Sequence, residues 1–232
     1  YALYFGNLVL LPQWMQENLG YRAFDAGLAT APVGIFAVIL SPFMGRALRH
    51  FDARVLTTLA FIGFSGIFFM RSKYLADTDF FHLALPTLLQ GIPTVFWFVP
   101  LVSIILSGLP PERIPAAAGL SNFVRIFCGA AGTAIAGSIW NHRTAIHHVR
   151  LTEQASIDNP LFMQSTASTQ SLLDLNSNAA HALFNAGVNS QAAVMGLDDF
   201  FYMSTFIFIA IIPLIWITRP GKSSADASSA AH

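Results

Sequence analysis

Arg125 is the one charged residue that lies well inside an apolar segment of the sequence. Insertion scales put an arginine at the centre of a membrane helix at roughly 2.5 to 3.5 kcal/mol unfavourable, so other groups must compensate it. At helical spacing, Asn122, Gly129 and Gly132 share its face, and small residues allow a neighbouring helix to approach closely. The pattern predicts either a polar cavity that binds an anionic or polar group, or a structural clamp between helices.

A second segment, from about residue 80 to residue 109, carries three prolines at a spacing of seven: Pro86, Pro93 and Pro100. An interior proline removes a backbone hydrogen bond and bends a helix. Together with Gln90 and Trp97, this spacing indicates a bent helix that lines a cavity. A kinked helix with only a packing role is the alternative.

Three histidines, His142, His147 and His148, follow the segment that holds Arg125. Such a cluster is compatible with a metal site, as in membrane oxygenases with several histidine boxes. The remaining histidines are scattered singly, and Cys128 is the only cysteine. A solvated loop face is therefore favoured, and no metal site is predicted.

The composition places most of the chain in a membrane. Of its 232 residues, 54% are hydrophobic and only 10% are charged, whereas a soluble domain carries roughly 25% charged residues. The 12 basic and 12 acidic residues balance, so the chain lacks the basic excess of a nucleic-acid-binding protein. Nucleic acid is not an expected partner.

Six apolar segments approach the ~20 residues that a helix needs to cross a bilayer. They do not alternate with the period of two typical of barrel strands. We therefore predict an all-α integral membrane protein with six transmembrane helices. The predicted segments are 1–15, 28–44, 55–70, 80–109, 116–140 and 199–219, the first shortened because the chain starts without a methionine, as if cut.

The loops predict an orientation and the remaining domains. The dense cluster Arg46, Arg49 and Arg54 favours the cytoplasm for its loop, which also places the C-terminus inside. Residues 141–198 then form an extracytoplasmic loop with short amphipathic helices predicted at 171–175 and 179–184. Residues 220–232 are Ser/Ala-rich and predict a disordered cytoplasmic tail.

Several stretches match one known family in order along residues 1–140. They are Pro12–Gln16, Ala26–Gly34, Val99–Leu101 and Ala118–Gly132, the last containing the pattern N-F-x-R-x-x-x-G-x-x-G. The sequence resembles the fourteen-spanner drug/proton antiporters of the major facilitator superfamily, the EmrB/QacA type. The long polar stretch before the last helix also fits this type.

The predicted cytoplasmic loop resembles that superfamily's G-x-L-A-D-R-x-G-R motif. The candidate motif residues are Gly45, Arg46, Arg49, Asp52 and Arg54. Arg49 stands at the family's aspartate position, a histidine follows it, and Asp52 stands at the usual glycine position. The resemblance therefore does not carry over the superfamily's charge relay, for which Asp52 is at most a partial substitute.

The resemblance implies the C-terminal part of a proton-coupled multidrug efflux transporter in a bacterial inner membrane. Alternating access would rock this part against a missing N-terminal half around a midplane site. Neither a cofactor nor enzyme activity is implied, because the proton gradient would supply the energy. The implied partners are the lipid bilayer, amphipathic small-molecule drugs, the N-terminal half and, as in some relatives, a periplasmic adaptor protein.

Candidate site residues follow from the residue patterns and the resemblance together. Polar groups of the cavity would come from Asn122, Arg125 and Gln90, aromatic surface from Phe96, Trp97 and Phe98, and helix packing or gating from Gly129, Gly132, Pro93 and Pro100.

The acidic residues leave an alternative open. All of them fall in loops, in the tail or at span ends, whereas a proton-driven antiporter usually needs a carboxylate inside the membrane. We expect the coupling carboxylate to lie outside this chain. A truncated six-span module without transport activity of its own is the alternative, and a metal-dependent membrane oxygenase is a weaker one.

Overall fold

The computed structural model describes residues 1–75, 78–154 and 177–217, and the regular structure in these ranges is helical. The helices are α1 (Ala2–Asn18), α2 (Ala23–Thr30), α3 (Val33–His50), α4 (Ala53–Arg71), α5 (Phe80–Leu106), α6 (Ile114–Gln154) and α7 (Ser177–Ile217), with a 3₁₀ turn at Pro111–Arg113 between α5 and α6.

Five stretches of the described residues are long and apolar enough to cross a membrane, and α2 and α3 together form one of them. The proline at position 32 separates these two helices, since its ring removes the backbone donor that would continue the ladder. At 17 residues, α1 is shorter than the ~20 expected of a full span. The predicted all-α membrane fold is confirmed, with five such stretches among the described residues where six spans were predicted, because α1 is too short to be one of them.

The last two helices extend beyond the predicted spans. Each has 41 residues, so each is about 60 Å long, roughly twice the thickness of the hydrocarbon layer. The polar ends pack on each other: the indole of Trp140 donates to the carbonyl of Ala193 at 2.9 Å, and Gly196 lies against Thr144. Helix therefore occupies both ends of the stretch 141–198, including 179–184. The patch 171–175 and the tail 220–232 lie outside the described residues.

Aromatic side chains form the core between α4 and α7. The rings of Phe64 and Phe68 each lie 5.3 Å from the ring of Phe208, and Phe68 also stacks on Phe201 at 5.9 Å. These rings follow the i, i+4 and i, i+7 spacing that places residues on one helix face. They fix α4 against α7, and α5 also packs on α4.

Glycines bring α1 and α6 into close contact. A Cβ atom on Gly132 would lie 2.4 Å from the Cα atom of Ala2, and one on Gly129 would lie 3.0 Å from the ring of Phe5. The structure thus places both predicted packing glycines in the α1–α6 interface. Gly137, on the same helix, faces open space.

This difference predicts opposite effects of one substitution at two positions of α6. Gly132→Ala should lower the thermal unfolding temperature of the purified transporter, because overpacking costs about 1–3 kcal/mol. Gly137→Ala should leave that temperature unchanged or raise it, because alanine favours a helix over glycine. Equal effects of the two substitutions would contradict the close α1–α6 contact.

Candidate functional site

The Arg125 side chain lies on the surface of α6 that faces the end of α5. Its guanidinium donates a hydrogen bond to the side-chain oxygen of Asn122, one turn earlier. Its Cζ atom lies 5.2 Å from the ring centre of Phe98, within cation–π range. In the described ranges no carboxylate forms an ion pair with Arg125. The positive charge thus remains without a counter-charge from these residues.

A cavity of about 150 Å³ lies beside this guanidinium. Its lining combines polar and apolar side chains. The lining residues are Tyr1, Val102, Leu106, Ala118, Ser121, Asn122 and Arg125. A cation next to apolar surface suits a ligand that carries both a negative or polar group and a hydrophobic body.

A larger cavity of about 470 Å³ also borders Tyr1, and we call it the aromatic cavity because six of its fourteen lining residues are aromatic. The Tyr1 ring is 4.9 Å from Trp97, which is also 5.1 Å from Tyr4 and 5.8 Å from Phe64. Tyr1 lines both cavities, so the cavity beside Arg125 and the aromatic cavity adjoin at this residue.

The structure therefore brings some of the predicted residues together and separates others. Trp97 lines the aromatic cavity and Phe98 lies beneath Arg125, whereas Phe96 is half-buried and packs against the core. Pro93 and Pro100 are buried in α5, where Pro93 lies against Gly63 of α4. Gln90 lies in neither of these two cavities.

Gln90 belongs instead to a buried polar network that joins α1, α4 and α5. At its centre, Arg71 donates to the side-chain oxygen of Asn7 at 2.6 Å and to the hydroxyl of Thr87 at 2.9 Å. Asn7 donates in turn to the amide oxygen of Gln90 at 3.4 Å. All four side chains are at most 3% exposed. The partners of the Arg71 cation in this network are neutral.

Two donors of this network have no acceptor among the described residues: Nε of Arg71 and Nε2 of Gln90. Both residues line a small cavity of about 10 Å³, together with Asn7, Thr30 and Thr87. A polar cavity of this size is close to the smallest that holds one water molecule. Its lining is rich in hydrogen-bond donors.

The sequence does not identify Arg71 as a buried residue, because it comes directly after the last apolar residue of its predicted span. Its partners are 64 and 16 positions away, at Asn7 and Thr87, so no local spacing connects them. The local indication of this network in the sequence is Asn7, a polar residue within an apolar helix.

The predicted cytoplasmic loop is organised by helix capping. The carboxylate of Asp52 accepts from the backbone N–H of Arg54 at 2.9 Å and so caps the start of α4. Arg46 and Arg49 are exposed, and a Cβ on Gly45 would meet nothing within 4 Å.

The three clustered histidines lie in the C-terminal part of α6. His147 shares a hydrogen bond of 2.9 Å with the carboxylate of Asp199 on α7, and Arg143 lies 3.6 Å from the same oxygen. Across the described residues, no group of three metal-ligating side chains comes together. These contacts tie the extended parts of α6 and α7 to each other.

Comparison with known proteins gives the family. The multidrug export protein EmrB of Escherichia coli K12 is 40% identical over 233 aligned positions, which include all of this chain and 45% of that protein. The fatty acid resistance protein FarB of Neisseria gonorrhoeae is 34% identical over 95% of this chain and 43% of its own length. The EmrB protein of Haemophilus influenzae gives the same identity and coverage. The chain belongs to the EmrB type of the major facilitator superfamily.

This EmrB-type chain spans less than half the length of the curated relatives it matches. No family model matches it. Its relatives are transporters, and its apolar helices together with this family make it a multi-pass protein of the bacterial inner membrane that contacts the lipid bilayer.

The buried network predicts a large effect of removing the Arg71 guanidinium. Arg71→Met leaves the buried oxygens of Asn7 and Thr87 without their donor, and each unsatisfied polar group costs roughly 1–3 kcal/mol. The thermal unfolding temperature of the purified EmrB-type transporter should fall clearly. Lys73→Met, a nearby exposed cation, is the matched control and should change it little. Similar unfolding temperatures for the two variants would contradict the network.

Proposed function

We propose that this chain forms the C-terminal part of a proton-coupled multidrug efflux transporter that works by drug/proton antiport. The observation that carries the proposal is the pairing of an uncompensated cation, Arg125, with two cavities that meet at Tyr1. The multidrug export proteins among its relatives support the efflux of drugs.

The chemistry of the two cavities suggests the class of substrate. Arg125 and Asn122 offer a positive charge and an amide, while Trp97 and Tyr4 offer flat apolar surface. An amphipathic molecule with an acidic or strongly polar group would use both compartments at once. The relative FarB is named for fatty acid resistance, which fits such a molecule.

Alternating access would need a second half packed on the face that carries Arg125. On that face Asn122 is exposed and Arg125 is half-exposed in this chain. We propose that the N-terminal half of the same transporter covers the Arg125 face, so that the cavity closes between the halves.

The proton gradient would supply the energy for transport, without a cofactor. A periplasmic adaptor protein would dock on the stretch 141–198.

The decisive experiment is drug efflux by the full-length transporter with Arg125→Ala. Efflux from cells should be lost while the amount of protein in the membrane stays near normal, because Arg125 is half-exposed and holds no second helix by a hydrogen bond that the structure describes. Arg150→Ala removes an exposed arginine from the same helix and should leave efflux unchanged.

Two outcomes would contradict the proposal. Normal efflux by Arg125→Ala would show that the Arg125 cation is not part of the substrate site. Loss of the protein from the membrane, with Arg150→Ala unaffected, would assign Arg125 the structural clamp role instead. An unmutated transporter that exports no drug would contradict the efflux function itself.

A further inference from the structure

The small cavity of about 10 Å³ beside Arg71 lies where several helices meet. Arg71 is the last residue of α4, and Asn7 comes from α1. Thr87 and Gln90 belong to α5, and Thr30 is the last residue of α2. The lining is completed by the apolar residues Leu8, Leu11 and Val33. The buried polar network around Arg71 thus forms much of the wall of this cavity.

The groups of this network that lack a partner are donors. Nε of Arg71 and Nε2 of Gln90 are shielded from solvent, and no described residue accepts a hydrogen bond from either. The side-chain oxygens of the network are engaged: those of Asn7 and Thr87 accept from Arg71, and that of Gln90 accepts from Asn7. A buried donor without an acceptor is costly. A group that completes the network must therefore accept hydrogen bonds from two N–H donors.

The charge of Arg71 distinguishes an anion from a neutral acceptor such as water. A guanidinium stays protonated in proteins, and Arg71 is 0% exposed. Its described hydrogen-bond partners Asn7 and Thr87 are neutral, and so is Tyr74 beside it. The ring of Phe201, 5.9 Å from the guanidinium carbon, offers only its π face. The ion pairs found in the described ranges do not include Arg71. A buried charge of this kind is costly unless an opposite charge lies close to it.

We propose that this cavity binds one small monovalent anion of the halide type, such as chloride, as the counter-ion of Arg71. The anion would accept charge-assisted hydrogen bonds from Nε of Arg71 and from Nε2 of Gln90. The cavity is close in size to a single water molecule, and a chloride ion is only slightly larger. A polyatomic anion such as gluconate is too large for it.

This anion site is separate from the cavities proposed to bind drugs. Neither Arg71 nor Gln90 lines the cavity beside Arg125 or the aromatic cavity. The anion would instead connect Arg71 on α4 with Gln90 on α5. A ligand that binds only the folded protein raises its stability. The anion should therefore stabilise the folded transporter whether or not a drug is present.

Thermal unfolding of the purified full-length transporter tests the site. Sodium gluconate is replaced stepwise by sodium chloride at constant ionic strength, so that screening by salt is unchanged. We expect the unfolding temperature to rise and to level off as the site fills. Effects of the two salts on the protein surface as a whole are the same in every variant and are removed by comparing variants.

Gln90→Glu is the informative variant. The substitution nearly keeps the shape of the side chain, but it brings a negative charge to Arg71 and removes the Nε2 donor. We expect the saturable response to chloride to be lost. In gluconate this variant should unfold at a temperature no lower than the unmutated protein, because the introduced carboxylate takes the place of the anion. Gln16→Glu makes the same chemical change at an exposed position of α1 and should keep the chloride response.

Crystals of the full-length transporter grown with bromide in place of chloride locate the ion directly. We expect an anomalous bromine peak within hydrogen-bond distance of Nε of Arg71 and Nε2 of Gln90. Density for a water molecule at this position, without a bromine peak, would make the acceptor neutral and overturn the proposal.

The unfolding data can also contradict the anion site. A chloride response that does not saturate, or that is equal in Gln90→Glu and the unmutated protein, would place its cause outside this cavity. A lower unfolding temperature of Gln90→Glu in gluconate would show that Arg71 needs no counter-charge. None of these measurements uses transport, so a transporter that exports no drug would contradict the proposed function and leave the anion site standing.

Discussion

The buried guanidinium of Arg71 constrains how three helices of this chain can be arranged. A charge that water does not reach must receive its hydrogen bonds from the protein, and here α1 supplies Asn7 while α5 supplies Thr87. Any relative shift of these helices by more than a hydrogen-bond length would leave the cation unsatisfied. One buried hydrogen-bond network therefore links α1, α4 and α5 to one another.

Arg71 and Arg125 have different surroundings in the structure. Arg71 is fully buried and engaged by neutral partners inside the bundle, whereas Arg125 is half-exposed beside a cavity and has only Asn122 and the Phe98 ring as described partners. Arg71 thus links helices inside the bundle, whereas the Arg125 guanidinium lies at the wall of a cavity.

Local pattern sufficed for the helices but not for the polar contacts between them. Apolar length identified the spans, and helical spacing put Gly129 and Gly132 on the face that meets α1. The Arg71 network joins positions as distant as 64 residues, which no periodicity reveals. The ends of α6 and α7 extend past their apolar runs because the two helices satisfy each other, as in the bond from Trp140 to Ala193. Single-helix hydropathy does not contain that information.

The central claim, that the cavity beside Arg125 receives substrate, is tested most directly by thiol labelling at its wall. Asn122→Cys is introduced into the full-length transporter after its other cysteines, including Cys128, are replaced, and a polar thiol reagent is applied with and without an exported drug. The account predicts that the cysteine is labelled and that the drug slows its labelling. Labelling at the same rate with a saturating drug concentration would contradict it.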